Sequence, residues 1–283
     1  TNTEYCYRPF DKVWLDYDLN KVVRPREAIM SNLRKENVAL CVIKVNSAVD
    51  GLFKILVTSK ITDKTLLSPK DNTNVFPLYL YQENMGTEER IVNFNMELYE
   101  KIAKGLNYVC CPDDYMLIDP MEGFDGVLYP QDLFDYIYAV LHSPSYRERY
   151  KEFLKIDFPR IPYPTDGDNF RDLAEKGAEL RMLHLMEDLP SKTGVTFPVN
   201  GSLQVDCLRW ADNRVYINNE QYFEGVPENA WNFYIGGYQP AQKWLKDRKG
   251  QTLSFEDVKH YGRIIYVLLQ TERLMGEIDK IYN

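Results

Sequence analysis

The spacing of apolar and polar positions changes character along this chain. Over residues 1–90, short β-branched runs alternate with turn residues, so Ala39–Val45 and Phe53–Thr58 read as strands and Val75–Tyr81 as a third. Pro77 cannot donate to a ladder, which places that third strand at a sheet edge. Between these runs, Pro25–Leu33 suits a short helix with proline near its first turn. The period then becomes helical. Asn95–Lys104 sets Met96, Tyr99, Ile102 and Ala103 on one face, and Gly105 can end it. From about Cys111 to Pro130, Asp, Gly and Pro residues mark a loop.

Gln131–His142 is again helical, with Leu133, Phe134, Ile137, Tyr138 and Leu141 as its apolar positions. Ser143-Pro144 then predicts a break and restart, the serine capping a second helix that runs to about Leu154. Asp157–Pro164 must be extended, because each proline pushes its predecessor away from helix. Asp168 is a candidate cap for a helix over Asn169–Glu187. After Pro190 a second β patch is expected over Leu203–Trp210, Arg214–Asn218 and Asn232–Ile235, with Asp212-Asn213 as a hairpin turn. Pro240 opens a helix that Gly250 closes. Ser254-Phe-Glu-Asp257 resembles a capping box at the start of a long amphipathic helix. Its apolar face is Val258, Tyr261, Ile265, Leu268, Leu269, Met275 and Ile278. The class is α+β: a strand-rich N-terminal lobe with helices, a second small β patch, and a long C-terminal amphipathic helix. Sublobes are expected over 1–165 and 166–283.

Charge narrows the functions. With 34 Lys and Arg against 42 Asp and Glu, the net charge is −8. A binder that works mainly by neutralising phosphates gathers excess Lys and Arg on one face. This balance argues against non-specific DNA binding. It leaves room for a module that reads base edges while neighbouring domains supply positive field. Five scattered cysteines suggest reduced thiols in the cytoplasm, and Cys110-Cys111 lacks the Cys-x2-Cys spacing of a zinc site. No apolar run approaches the ~20 residues of a membrane span. The chain opens Thr1-Asn-Thr without Met and reads as a piece of something longer.

Catalytic signatures are missing. The sequence contains no Gly-x4-Gly-Lys-Ser/Thr, Gly-x-Gly-x-x-Gly or Gly-x-Ser-x-Gly. Cys111-Pro-Asp-Asp-Tyr115 has one proline where an adenine methyltransferase tetrapeptide needs two. No Glu-x-Lys occurs to follow Pro112-Asp113 in a metal-dependent nuclease. His142, His184 and His260 sit in or beside helices without a nearby Cys or partner His, which favours capping, core or surface roles. Pairs such as Asp113/Asp114 could serve a glycosidase, but 42 acidic residues produce such pairs by chance.

Two stretches, Leu141–Pro164 and Tyr234–Gly250, resemble the C-terminal specificity domain of type ISP single-polypeptide restriction-modification enzymes. The same family order holds for Tyr7-Arg-Pro-Phe-Asp11 with Trp14 and Tyr17, Val23-Arg-Pro-Arg26, Asn37-Val-Ala-Leu40, Phe76–Tyr81 and Val215-Tyr-Ile-Asn218. A wider likeness to adenine methyltransferase specificity regions rests on Leu141-His142-Ser143 and Ile161-Pro-Tyr-Pro164, with His where the wider pattern has Asn. The resemblance implies a target-recognition domain for double-stranded DNA that orients an upstream N6-adenine methyltransferase and nuclease. It implies no cofactor in this chain; S-adenosylmethionine, ATP and Mg2+ would belong to the parent enzyme.

On that reading the candidate DNA contacts are basic residues in exposed segments: Lys21, Arg24 and Arg26; Lys44, Lys54, Lys60 and Lys64; Arg147 and Arg149; Lys243, Arg248 and Lys249. An arginine bidentate on a guanine edge discriminates by ~1–3 kcal/mol, whereas a lysine on phosphate positions the protein. The rival is a non-catalytic interaction or assembly domain, supported by acidity, 21 Tyr and the last helix. A basic groove would favour DNA, a broad apolar patch assembly, and a deep pocket with two opposed carboxylates an enzyme.

Overall fold

Two antiparallel strands open the chain, β1 (Asn2–Arg8) and β2 (Asp11–Asp16), joined through Phe10 in the left-handed region at φ 63°. The structure is a computed structural model that describes residues 2–22, 25–44, 54–84, 86–119 and 121–283. Sequence pattern alone missed both strands, because β1 interleaves Tyr5 and Tyr7 with polar residues that are themselves half-buried. α1 (Glu27–Met30) follows and tightens into a 3-10 turn over Ser31–Arg34. Next come β3 (Ala39–Val42), β4 (Ile55–Thr58), β5 (Ile61–Thr62), β6 (Asn74–Pro77), β7 (Tyr79–Asn84) and β8 (Thr87–Val92). β5 runs parallel to β1, giving the order β2-β1-β5. An antiparallel sheet has the order β4-β3-β6, with Pro77 ending its edge strand as expected. Val45 and Phe53, the outer ends of two expected strands, lie outside the described residues. The expected strand Val75–Tyr81 is split, its second half belonging to the β7–β8 hairpin.

α2 (Met96–Gly105) begins where Asn95 accepts the Leu98 amide, and Asn107 at φ 57° supplies the left-handed residue beyond its end. The expected loop contains β10 (Gly126–Leu128), parallel to β9 (Tyr108–Cys110) just before it. α3 (Pro130–His142) carries buried residues on all sides, from Leu133 to His142. A helix apolar all round belongs in the interior, and α3 is that interior. α4 (Pro144–Arg149) starts on the Ser143 cap, and α5 (Lys151–Leu154) follows a break at Tyr150. α6 (Gly167–Leu185) is capped by Asp166, not Asp168: the Asp166 carboxylate accepts the Asn169 amide at 2.7 Å. The second β patch is β11 (Arg209–Ala211), β12 (Arg214–Tyr216) and β13 (Tyr222–Glu224), with Asp212 and Asn213 both left-handed in the turn. Most of Leu203–Trp210 is irregular. α7 (Glu228–Asn232) ends where a strand over Asn232–Ile235 was expected. α8 (Pro240–Lys246) and α9 (Phe255–Tyr282) close the fold, α9 on the Ser254/Asp257 capping box.

α6 and α9 pack on α3, and β4 packs on α6. The α3–α6 crossing is close enough that a Cβ on Gly177 would sit 1.9 Å from the Asp135 carbonyl oxygen. Beside it, Arg181 donates two bonds to the buried Asp135 carboxylate, at 2.6 and 3.1 Å. Deeper in, the Thr271 hydroxyl donates to Val267 O and accepts from His184 Nε2 at 2.8 Å. His184 Nδ1 is thereby left to accept from the Tyr138 hydroxyl at 2.5 Å. His142 Nδ1 donates to Tyr138 O. The two histidines are therefore neutral core groups, and both ring nitrogens of His184 have partners. At the far end of α9, Asp279 accepts from Ser143 Oγ, Ser145 N and Ser145 Oγ, tying α9 to the start of α4.

Candidate nucleic-acid interface

The structure separates eleven of the twelve expected DNA contacts into three groups. Three are consumed by the fold, which corrects the expectation for them. The Lys54 side chain is 3% exposed and pairs with Asp71 at 3.3 Å, so it cannot reach a phosphate. Arg147 donates from Nε to Leu141 O at 2.7 Å, and burial pulls its guanidinium down to about 10. Arg248 grips Asp11 at 2.8 and 3.2 Å while stacked 3.6 Å over the Trp244 ring.

A second group is at the surface but partly neutralised. Lys21 pairs with Asp16 at 2.7 Å and Asp18 at 3.7 Å, Lys44 with Asp157 at 3.6 Å, Lys60 with Glu4 at 3.6 Å, and Lys243 with Asp247. Exposed pairs of this kind reorganise cheaply, since each is worth ~0–1 kcal/mol. Arg149 and Lys249 are exposed, Arg149 lying 5.7 Å from the Tyr282 ring. Arg24 lies outside the described residues.

Arg26 and Lys64 form the third group, because the fold brings them to one cleft. Its volume is about 590 Å³, and its walls come from β1, from Tyr17, Val22, Pro25 and Arg26, and from β5 with the loop after it. Thr73 links the Arg26 side chain to the Lys64 backbone. Its carbonyl accepts from Arg26 Nη1 at 3.1 Å, and its amide donates to Lys64 O at 2.7 Å. Arg26 is left-handed at φ 50° and ψ 46°, a conformation that costs a non-glycine residue ~1–2 kcal/mol. The Thr73 bond helps hold that backbone. Lys64 has no carboxylate partner among the described residues.

Tyr5, Tyr17 and Asp63 complete the cleft lining. The Tyr17 hydroxyl donates to Pro25 O at 2.7 Å, and the Arg34 guanidinium lies 4.6 Å from its ring. Burial raises the Asp63 carboxyl. Bonds from Thr65 and Tyr5, with the Arg8 charge, outweigh that and leave it below the usual carboxylate range. Asp63 is thus an anion whose oxygens are already occupied. Asn72 and Thr62 also line the cleft, and Thr62 Oγ1 is buried without a hydrogen-bond partner. Tyr5, Thr62, Asp63 and Asn72 were absent from the sequence candidates. The alternation of Tyr5 and Tyr7 was an available signal for the first, and the Asp-Asn-Thr-Asn turn for the last.

A different surface is acidic and apolar. The loop between β9 and β10 carries Asp113, Asp114, Asp119, Glu122 and Asp125, and exposes Tyr115, Met116, Leu117, Met121 and Phe124. Its base is rigid: Arg90 binds Asp113 and lies 3.6 Å from the Tyr115 ring and 4.1 Å from that of Tyr79. Among the described residues no cluster of three metal-ligating side chains forms, and no helix is long and apolar enough to cross a membrane.

The Type ISP C-terminal specificity domain model matches residues 1–277. The chain belongs to that family. No curated protein matches the sequence. Solved structures with this fold include the ATP-dependent Type ISP restriction-modification enzyme LlaBIII bound to DNA, at TM-score 0.73 and 18% identity, covering 98% of this chain and 18% of that one. A nuclease-deletion mutant of the Type ISP enzyme LlaGI in complex with a DNA substrate mimic aligns at TM-score 0.66 and 20% identity, over 98% of this chain and 20% of that one. The DrdV–DNA complex aligns at TM-score 0.73 and 23% identity, over 97% and 28%. This Type ISP specificity domain therefore spans about a fifth to a quarter of the chains it resembles.

Proposed function

We propose that this domain is the sequence-specific double-stranded DNA recognition module of a restriction-modification enzyme, directing a linked N6-adenine methyltransferase and nuclease to their site. The observation that carries this reading is the specificity-domain match over residues 1–277. Support comes from the DNA complexes among the structural neighbours and from an acidic chain that still leaves two cations at one cleft. The domain performs no chemistry on this reading. It supplies binding energy that offsets extrusion of the target adenine, a cost of a few kcal/mol. S-adenosylmethionine, ATP and Mg2+ act in the rest of the parent enzyme.

The exposed acidic and apolar loop favours a protein neighbour, because its carboxylates repel phosphates. In this reading that neighbour is the upstream methyltransferase domain, meeting Leu117, which is 97% exposed, with an apolar socket. Genome-wide methylation mapping of the parent enzyme, with this domain native or exchanged for a relative's, tests the main proposal. The modified adenine motif is expected to follow the domain. A motif that stays constant through the exchange assigns specificity elsewhere.

A further inference from the structure

The Arg26–Lys64 cleft differs in shape from a base-reading element. Base edges lie recessed in the DNA grooves, the major groove being ~12 Å wide and ~8.5 Å deep, so they are reached by helices or strands that project. The sugar–phosphate backbone is the convex part of the duplex. A concave site of about 590 Å³ is complementary to that ridge and withdrawn from the groove floor.

We infer that this cleft seats the DNA backbone, with Arg26 and Lys64 on phosphate oxygens, and that it fixes register without reading sequence. The inference rests on the DNA-recognition reading above and deepens it. Chemistry and shape agree. Lys64 is a point charge without a carboxylate partner among the described residues, suited to a phosphate at many angles. Arg26 gives one Nη1 hydrogen to the Thr73 carbonyl at 3.1 Å, one of the five N–H donors of its guanidinium. The remaining donors still suit a phosphate oxygen. Asp63 keeps its negative charge at the cleft, and the Arg8 guanidinium at 3.4 Å offsets it.

The test uses the intact enzyme that carries this domain, with Arg26→Ala, Lys64→Ala and, as a charge control, Lys104→Ala on the exposed side of α2. Affinity is measured by anisotropy over a salt series, for a duplex holding the mapped methylation motif and for a scrambled duplex. In the backbone-seat arrangement, each cleft variant weakens both duplexes by the same factor, about three- to tenfold. Lys64→Ala lowers the salt slope by about 1, and the methylated motif is unchanged. Lys104→Ala changes neither quantity. A motif relaxed at one position by Arg26→Ala or Lys64→Ala would show base reading and overturn the inference. Unchanged affinity and slope, or an equal effect from Lys104→Ala, would remove the cleft from the interface. The domain exchange reports separately on the DNA-recognition reading, so the two failures are distinguishable.

Discussion

Arg248 and Asp11, 237 residues apart in sequence, meet in a two-bond ion pair at 2.8 and 3.2 Å. The contact joins the first residue of β2 to the segment following α8, and the guanidinium also covers Trp244. A residue that looks like a DNA contact in a basic run is thus a tie between chain ends. Removing one partner of a mostly buried pair strands the other charge, so Arg248→Ala should cost about 3 kcal/mol in urea denaturation. Lys249→Ala, one position on and exposed, should stay within about 0.5 kcal/mol of the parent.

Lys54 and Lys64 make a second contrast. Lys54 is buried against Asp71, and Lys64 stands at the cleft. Lys54→Ala should lower stability by about 1–3 kcal/mol, through lost packing and pairing, while leaving the salt slope of DNA binding untouched. A flat melting curve comparison with a changed slope would reverse that assignment.

Acid should weaken the fold. Burial holds His184 down at about 3, with Arg147 nearby adding to the effect; it holds His142 well below its usual range and lowers His260. The unfolded chain takes up these protons near pH 6.5 and the folded chain does not. Their stabilisation is complete above that pH and is lost as pH falls. Asp135 works in the opposite sense. Burial, against the pull of Arg181, pushes it up to about 6, so between about 6 and 4 it favours the folded state on acidification. The histidines outnumber it. Unfolding free energy measured in urea should drop by about 2–3 kcal/mol between pH 7.5 and 5. A constant value over that range would contradict the neutral histidine core.

Gly177 reports on the α3–α6 crossing. A methyl there meets the Asp135 carbonyl, which is backbone and cannot swing aside. Gly177→Ala should therefore cost at least about 2–3 kcal/mol despite its better helix propensity. Gly276→Ala on α9, where nothing lies within reach of the added carbon, should be neutral or stabilising.

Most helices were legible because their stop and start signals are local, α7 being an exception. Asn95, Ser143-Pro144 and Ser254/Asp257 act on amides within three residues, and each does what its spacing implies. Strands were harder, since β1, β9 and β10 gain their definition from partners elsewhere in the chain. Asp166 and Asp168 both offer a carboxylate near the start of α6, and only geometry chooses between them. The family was legible from ordered segments. The availability of individual cations was not, because Asp11, Asp71 and Leu141 O reach Arg248, Lys54 and Arg147 through tertiary packing. The cleft was half visible: Arg26 and Lys64 appeared as charges, but nothing in the turn holding Thr73 shows that it meets both of them.

The fastening of α9 by Asp279 bears on where such a module can be cut. The family match stops at residue 277, two positions short of the carboxylate that receives Ser143 and Ser145. Ile281 O takes the Asn169 side chain, and Tyr282 stands against Tyr146. A chimera joined at 277 would inherit the recognition surface without its latch, releasing the serine pair at the mouth of α4 and the first turn of α6 together. A usable seam for exchanging specificities leaves the last turn of α9 with the domain.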